Sequence, residues 1–169
     1  MWTLTGMLRP GFDISRANIY LNGGTAFYNI YRTKDGRFIT LGAVEEKFWR
    51  AFCDTVGRLE WRDRQWEAPP QSGLIADVTA LIAEKTMVEW EAQFADVDCC
   101  FERVHEMAEM AQHPHVKARG MVKRHDGPDG KGADPFFEVL YPAWVDGKPP
   151  EGRTPVRYRT AAEVIDEWT

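Results

Sequence analysis

Two strand-like runs joined by Lys34-Asp35-Gly36 constrain this chain more than any other feature. Residues 26–33 are rich in aromatic and β-branched side chains, and residues 37–44 resume the pattern after the turn. Asp-Gly at a tight turn has a physical reason, because glycine takes a positive φ without steric penalty. The spacing therefore predicts a β-hairpin. The period then changes. Val44, Phe48, Phe52 and Val56 recur at steps of four, with Trp49 and Cys53 beside them. That is one apolar face of a helix beginning near Glu45 and stopped by Gly57. Glu45 and Glu46 fall in its first turn, where the helix dipole favours acids.

Residues 58–72 read as a polar connection that ends in Pro69-Pro70. Leu74, Val78, Leu81 and Ile82 mark a second helix. Thr86 and Glu89 form a capping-box pattern, so a third helix is expected from there to about Ala95. Residues 97–101 suggest a short buried strand. Val104, Met107, Ala108 and Ala111 suggest another helix, ended by His113-Pro114. Residues 121–125 and 136–141 are strand candidates around a loop at 127–130. Residues 161–168 read as a closing helix with Thr160 as N-cap. A hairpin, then helices, then short strands argue for an α+β fold rather than a doubly wound sheet. The expected organisation is an N-terminal arm over 1–22, a small α+β domain over 23–125, and a C-terminal return segment with its closing helix over 126–169.

Composition excludes several function classes. The chain has 169 residues, enough for a sizeable core, and a net charge of −5 with no sustained basic stripe. Nucleic acid is not an expected partner. No apolar run reaches the roughly 18 residues of a membrane span, and the first residues lack the basic and apolar regions of a signal peptide. Cys53, Cys99 and Cys100 are an odd set with an adjacent pair, not a disulfide framework, so a reducing cytoplasm is the expected compartment. No metal site is expected. His113 and His115 lack a third ligand at a convincing spacing, and adjacent cysteines on a strand, near His105, would point to opposite faces. Arg119 is a candidate for a carboxylate pair at a domain contact. Met107, Met110 and Met121 read as core, or as a surface that a partner covers.

Residues 22–49 are the most distinctive stretch. They combine Gly23-Gly24-Thr25-Ala26-Phe27-Tyr28 with Gly42-Ala43-Val44-Glu45. This block resembles the start of the small domain in the family III CoA-transferases, which include formyl-CoA transferase, carnitine CoA-transferase and α-methylacyl-CoA racemase. The block His113-Pro114-His115-Val116-Lys117-Ala118-Arg119-Gly120-Met121 is similar to the family's later segment, and Thr160-Ala161-Ala162-Glu163-Val164-Ile165 to its closing helix. The resemblance implies a C-terminal small-domain portion without the N-terminal half that binds most of the CoA. That half carries the transferases' aspartate and the racemases' histidine.

The resemblance also implies site residues. Glu45 matches a racemase glutamate that works opposite the histidine on the α-proton, and Tyr28 a tyrosine lining that site. Gly23 and Gly24 match a glycine-bearing loop near the acyl group. Each has a plainer reading too: a carboxylate at a helix start, a cross-strand aromatic, a turn before a strand. Where racemases often carry proline after the glutamate, Glu46 stands here, so transferase and racemase both remain open.

The expected substrate is a CoA thioester, with no tightly bound cofactor. The expected partner is a second copy or a separate N-terminal subunit, and activity is expected only with that missing half. The other reading is a non-catalytic module that binds a ligand or protein and dimerises through the surface left by the missing domain. Met1 at the head of the chain favours a short reading frame of its own.

Overall fold

The computed structural model describes residues 15–126 and 136–148, together with Ala161 and Ile165. They fall into two units divided between Val104 and His105. Helices combine with a three-stranded and a two-stranded antiparallel sheet, an α+β fold.

The hairpin forms as its pattern predicts. β1 (Tyr28–Arg32) pairs with β2 (Phe38–Gly42), setting Tyr28 against Gly42 and Ile30 against Thr40. β3 (Phe101–Arg103) joins the other side of β2. Alternation sends Tyr31, Ile39 and Leu41 into the core, while Tyr28, Ile30 and Phe38 stay exposed on the outer face. Gly36 turns with φ +79°. Asp35 does more than turn the chain. Its Oδ1 accepts from Thr33 Oγ1 at 2.5 Å and from the Met87 N–H at 3.1 Å, far along the sequence.

α1 (Glu46–Thr55) buries Trp49, Phe52 and Cys53. Val44, Phe48 and Val56 are partly buried beside them, so the stripe is centred slightly off the four-step set. Gly57 ends the helix at φ +69°. Its N–H donates to Asp54 O and that of Arg58 to Cys53 O, the two bonds of a Schellman motif. α2 (Ser72–Ile82) buries Leu74, Val78, Leu81 and Ile82. α3 (Met87–Phe94) starts at the Thr86–Glu89 capping box, both of whose bonds are made. The core closes as an aromatic column. Trp49 stacks on Phe52 at 5.5 Å, Phe52 on Phe94 at 5.8 Å and Phe94 on Phe101 at 4.1 Å. Each such contact adds about 0.5–1.5 kcal/mol beyond the area it buries.

Several expectations are corrected. Residues 58–72 form the expected polar connection, exposed over most of its length, but it is not featureless. They hold a 3-10 turn (Leu59–Arg64) and bury Trp61, Gln65 and Gln71. The short strand lies at Phe101–Arg103, because Cys100 takes φ +55° and cannot continue an extended run.

In the second unit, α4 (Met107–Met110) is a single turn that buries nothing, and Met107 is 85% exposed, so these positions are not a core helix face. His113-Pro114 starts a helix rather than ending one. α5 (Pro114–Ala118) has His113 as N-cap and proline in its first turn, where a missing N–H costs nothing. β4 (Val122–His125) and β5 (Phe136–Val139) form the expected late hairpin. The 127–130 loop lies outside the described residues. So does the closing helix with its Thr160 cap, except Ala161 and Ile165, which are helical. Among the described residues no helix is long and apolar enough to cross a membrane.

Candidate functional site

A cleft of about 520 Å³ opens on the outer face of the first unit's sheet. Register builds its floor. Tyr28 opposite Gly42, and Ile30 opposite Thr40, put four alternate residues on one face. Gly42, having no side chain, leaves that floor low; a Cβ there would meet the Cys100 Cβ only at an ordinary contact of 3.7 Å. One wall is the loop carrying Leu21, Asn22 and Gly23, and another is Cys100 in the bend before β3.

The loop wall is held by close backbone packing. Gly23 sits at φ +96°. A Cβ on Gly24 would lie 2.5 Å from Ile19 O, so only glycine fits there. The Asn29 side chain donates from Nδ2 to Gly23 O at 3.1 Å and to Thr25 O at 3.3 Å, fastening the loop to β1. Thr25 Oγ1 donates to Tyr20 O at 2.8 Å.

Of the residues singled out in the sequence, Tyr28 and Gly23 line the cleft. Tyr28 is 41% exposed. Gly24 is not among the walls; it lets the loop close on Ile19. Glu45 lies outside the lining, at the N-cap of α1. Its carbonyl accepts from Phe48 N–H at 3.0 Å and Trp49 N–H at 3.2 Å. Its exposed carboxylate makes no capping bond. That carboxylate is nonetheless felt at the cleft. Burial pushes the Cys100 thiol upward, and the charges of Asp98 and Glu45 add to the shift. Sequence reasoning missed Ile30, Thr40, Gly42 and Cys100 as cleft residues. Two-residue alternation along β1 and β2 was the signal for the first three. Cys100 gave none, because its place depends on a positive φ.

The tempting metal groupings do not assemble. Cys99 is buried while Cys100 is exposed. His113 spends Nδ1 on accepting the His115 N–H at 3.2 Å. Among the described residues no group of three or more His, Cys, Asp or Glu is placed to hold a metal. Among the described residues Arg119 is bonded to a backbone carbonyl rather than to a carboxylate. It donates to Pro142 O at 2.6 Å and lies 5.7 Å from the Trp144 ring, so the expected ion pair is replaced by contacts within its own unit.

The family model of CoA-transferase family III matches residues 3–156. The chain belongs to that family. Human alpha-methylacyl-CoA racemase is 34% identical over 113 residues, 64% of this chain and 29% of the human protein. The mouse racemase is 32% identical over 108 residues, 62% of this chain and 28% of its own length. A CaiB/baiF CoA-transferase family protein of Caenorhabditis elegans is 30% identical over 95 residues, covering 54% of this chain and 27% of that protein. The crystal structure of Rv3272 from Mycobacterium tuberculosis superposes with a TM-score of 0.54 at 21% identity, over 75% of this chain and 37% of that one. This family III chain therefore spans less than a third of the length of the curated relatives it matches.

Proposed function

We propose that the chain supplies the acyl-side wall of a CoA-thioester transferase or racemase site, and that a partner polypeptide supplies the CoA-binding half. The observation that carries this reading is the cleft of Tyr28, Gly23, Ile30 and Cys100, whose lining among the described residues contains no lysine or arginine. The nucleotide end of CoA is a polyanion and needs cationic contacts. A neutral, half-apolar cleft suits the acyl end instead.

Glu45 is the acid–base group in this reading. Its carboxylate is exposed and is not consumed by capping. In racemisation it would take the proton from the thioester α-carbon. The C–H electron pair passes into the enolate, and an acid from the partner returns a proton on the opposite face. Gly24 keeps the loop wall in place, and Tyr28 stands on the floor. The outer sheet face exposes Tyr28, Ile30 and Phe38, as expected where another polypeptide closes the site. That polypeptide is a separate N-terminal subunit, since a second copy of this chain would lack the same half. Three free cysteines suit a reducing cytoplasm.

Calorimetric titration with CoA and with a 2-methylacyl-CoA tests the reading. Micromolar binding of the acyl-CoA, weaker for CoA alone and lost in Tyr28→Ala, is expected; deuterium exchange at the α-carbon should need the partner and Glu45. An absence of acyl-CoA binding, with and without the partner, would refute it.

A further inference from the structure

Gln65 and Gln71 lie deep in a segment whose polarity suggests solvent, and each holds one flank of the site. Gln65 is 1% exposed and Gln71 3%. A buried amide has to be bonded. Gln71 Oε1 accepts from the Ala26 N–H at 3.0 Å. Its Nε2 donates to the carbonyls of Gln65 and Glu67, each at 2.8 Å. Its own N–H donates to Gly24 O at 2.9 Å. Gln65 Nε2 reaches the other way, to Val44 O at 2.9 Å and Ala43 O at 3.3 Å. Oε1 of Gln65 is buried and meets no donor among the described residues. Methionine would fill similar space without stranding an acceptor, so packing alone does not account for an amide here. What the amide adds is its pair of donated bonds.

Those bonds end beside two candidate site residues. Gly24 and Ala26 follow the Gly23 wall of the cleft, and Val44 precedes Glu45. The two segments already share one direct bond, Ala43 N–H to Phe27 O at 2.8 Å. That bond extends the β1–β2 ladder by one step beyond Tyr28 and Gly42, so the ladder aligns the two segments where they leave the sheet. Beyond the end of the ladder, the amide chain adds anchor points on both sides, at Gly24 and Ala26 and at Ala43 and Val44.

We infer that Gln65 and Gln71 are positioning residues, a buried two-amide link that sets where Glu45 stands relative to the Gly23 wall. The role in binding rests on the proposed function; the link itself can be tested without ligand. In the full chain, labelled for NMR, Gln71→Met should move the Glu45 side-chain carboxyl resonance, and Gln65→Met should move the Gly23 and Gly24 amides. The double variant should add nothing beyond the larger single one. Perturbations that stop on each variant's own side, and add in the double variant, overturn the link even if both variants unfold more easily.

Should either variant not fold, wild-type hydrogen exchange decides. The Ala26 and Trp49 amides should open together with one denaturant dependence, and separate openings overturn the link. Affinity for 2-methylacyl-CoA should fall about tenfold in both variants, the scale of one displaced hydrogen-bonded group. If the wild type binds no acyl-CoA, with or without the partner, the proposed function fails while the NMR and exchange results still judge the link.

Discussion

Asp35 connects a turn to a helix, and its charge state should show it. The Thr33 hydroxyl foremost, then the Met87 N–H, hold its carboxyl below the ordinary value of 3.8. A depressed carboxylate stabilises the fold above its unfolded value and loses that contribution as pH falls through the folded one. Asp35→Ala should therefore unfold earlier than wild type at pH 7, and the two melting curves should converge as the pH falls below the ordinary carboxylate value and through the lowered one. A gap that persists in acid would assign the effect to packing instead.

The cysteines make a second prediction at this scale. Burial, helped by Asp54, pushes the Cys53 thiol up to about 12, and burial pushes Cys99 up to about 11. Cys100 is exposed, and Asp98 and Glu45 add their charges to its upward shift. Mass spectrometry after brief alkylation of the native protein should find label on Cys100 alone. Glu45→Gln should speed that labelling, because it removes one of the charges opposing the thiolate. An unchanged rate would separate Glu45 from the cleft.

Elements with local signals were legible, and those set by tertiary contacts were not. The Asp-Gly hairpin, the Gly57 stop and the Thr86 capping box each rest on a few neighbouring residues, and all three form. Thr86→Ala should cost about 0.5–2 kcal/mol in urea unfolding, the usual worth of a side-chain cap. The burial of Gln65 and Gln71 within the polar 58–72 connection was illegible because both look solvated until their backbone partners are known. The Val104–Ala111 pattern had helical spacing, but only one turn forms and it buries none of its residues.

The candidate site divides along the same line. Tyr28 and Gly23 could be picked out from the family-like block, while Cys100 could not. Gly24→Ala tests the loop wall as an element. A Cβ against Ile19 O cannot be absorbed by a side-chain shift, so the loop must move while the hairpin stays. Amide shifts should change across residues 19–25 and remain near wild type in β2. Changes spread through β2 would mean that the loop and sheet fold as one piece.

Across the whole molecule, core and cleft both belong to the first unit. The buried apolar cluster runs from Ala26 to Cys99, with Phe101 packed against it, and the cleft is lined from Leu21 to Cys100. In the second unit Val116 and Leu140 are the buried apolar residues among those described. A polypeptide of residues 1–104 should therefore fold cooperatively. Its urea unfolding, followed by the fluorescence of buried Trp49, Trp61 and Trp90, should be a single transition. It should also keep the full chain's affinity for 2-methylacyl-CoA, because no cleft residue is lost. Cooperative folding with lost affinity would place a required binding group after Val104, whereas a broad, non-cooperative transition would show that the aromatic column needs residues beyond its own unit.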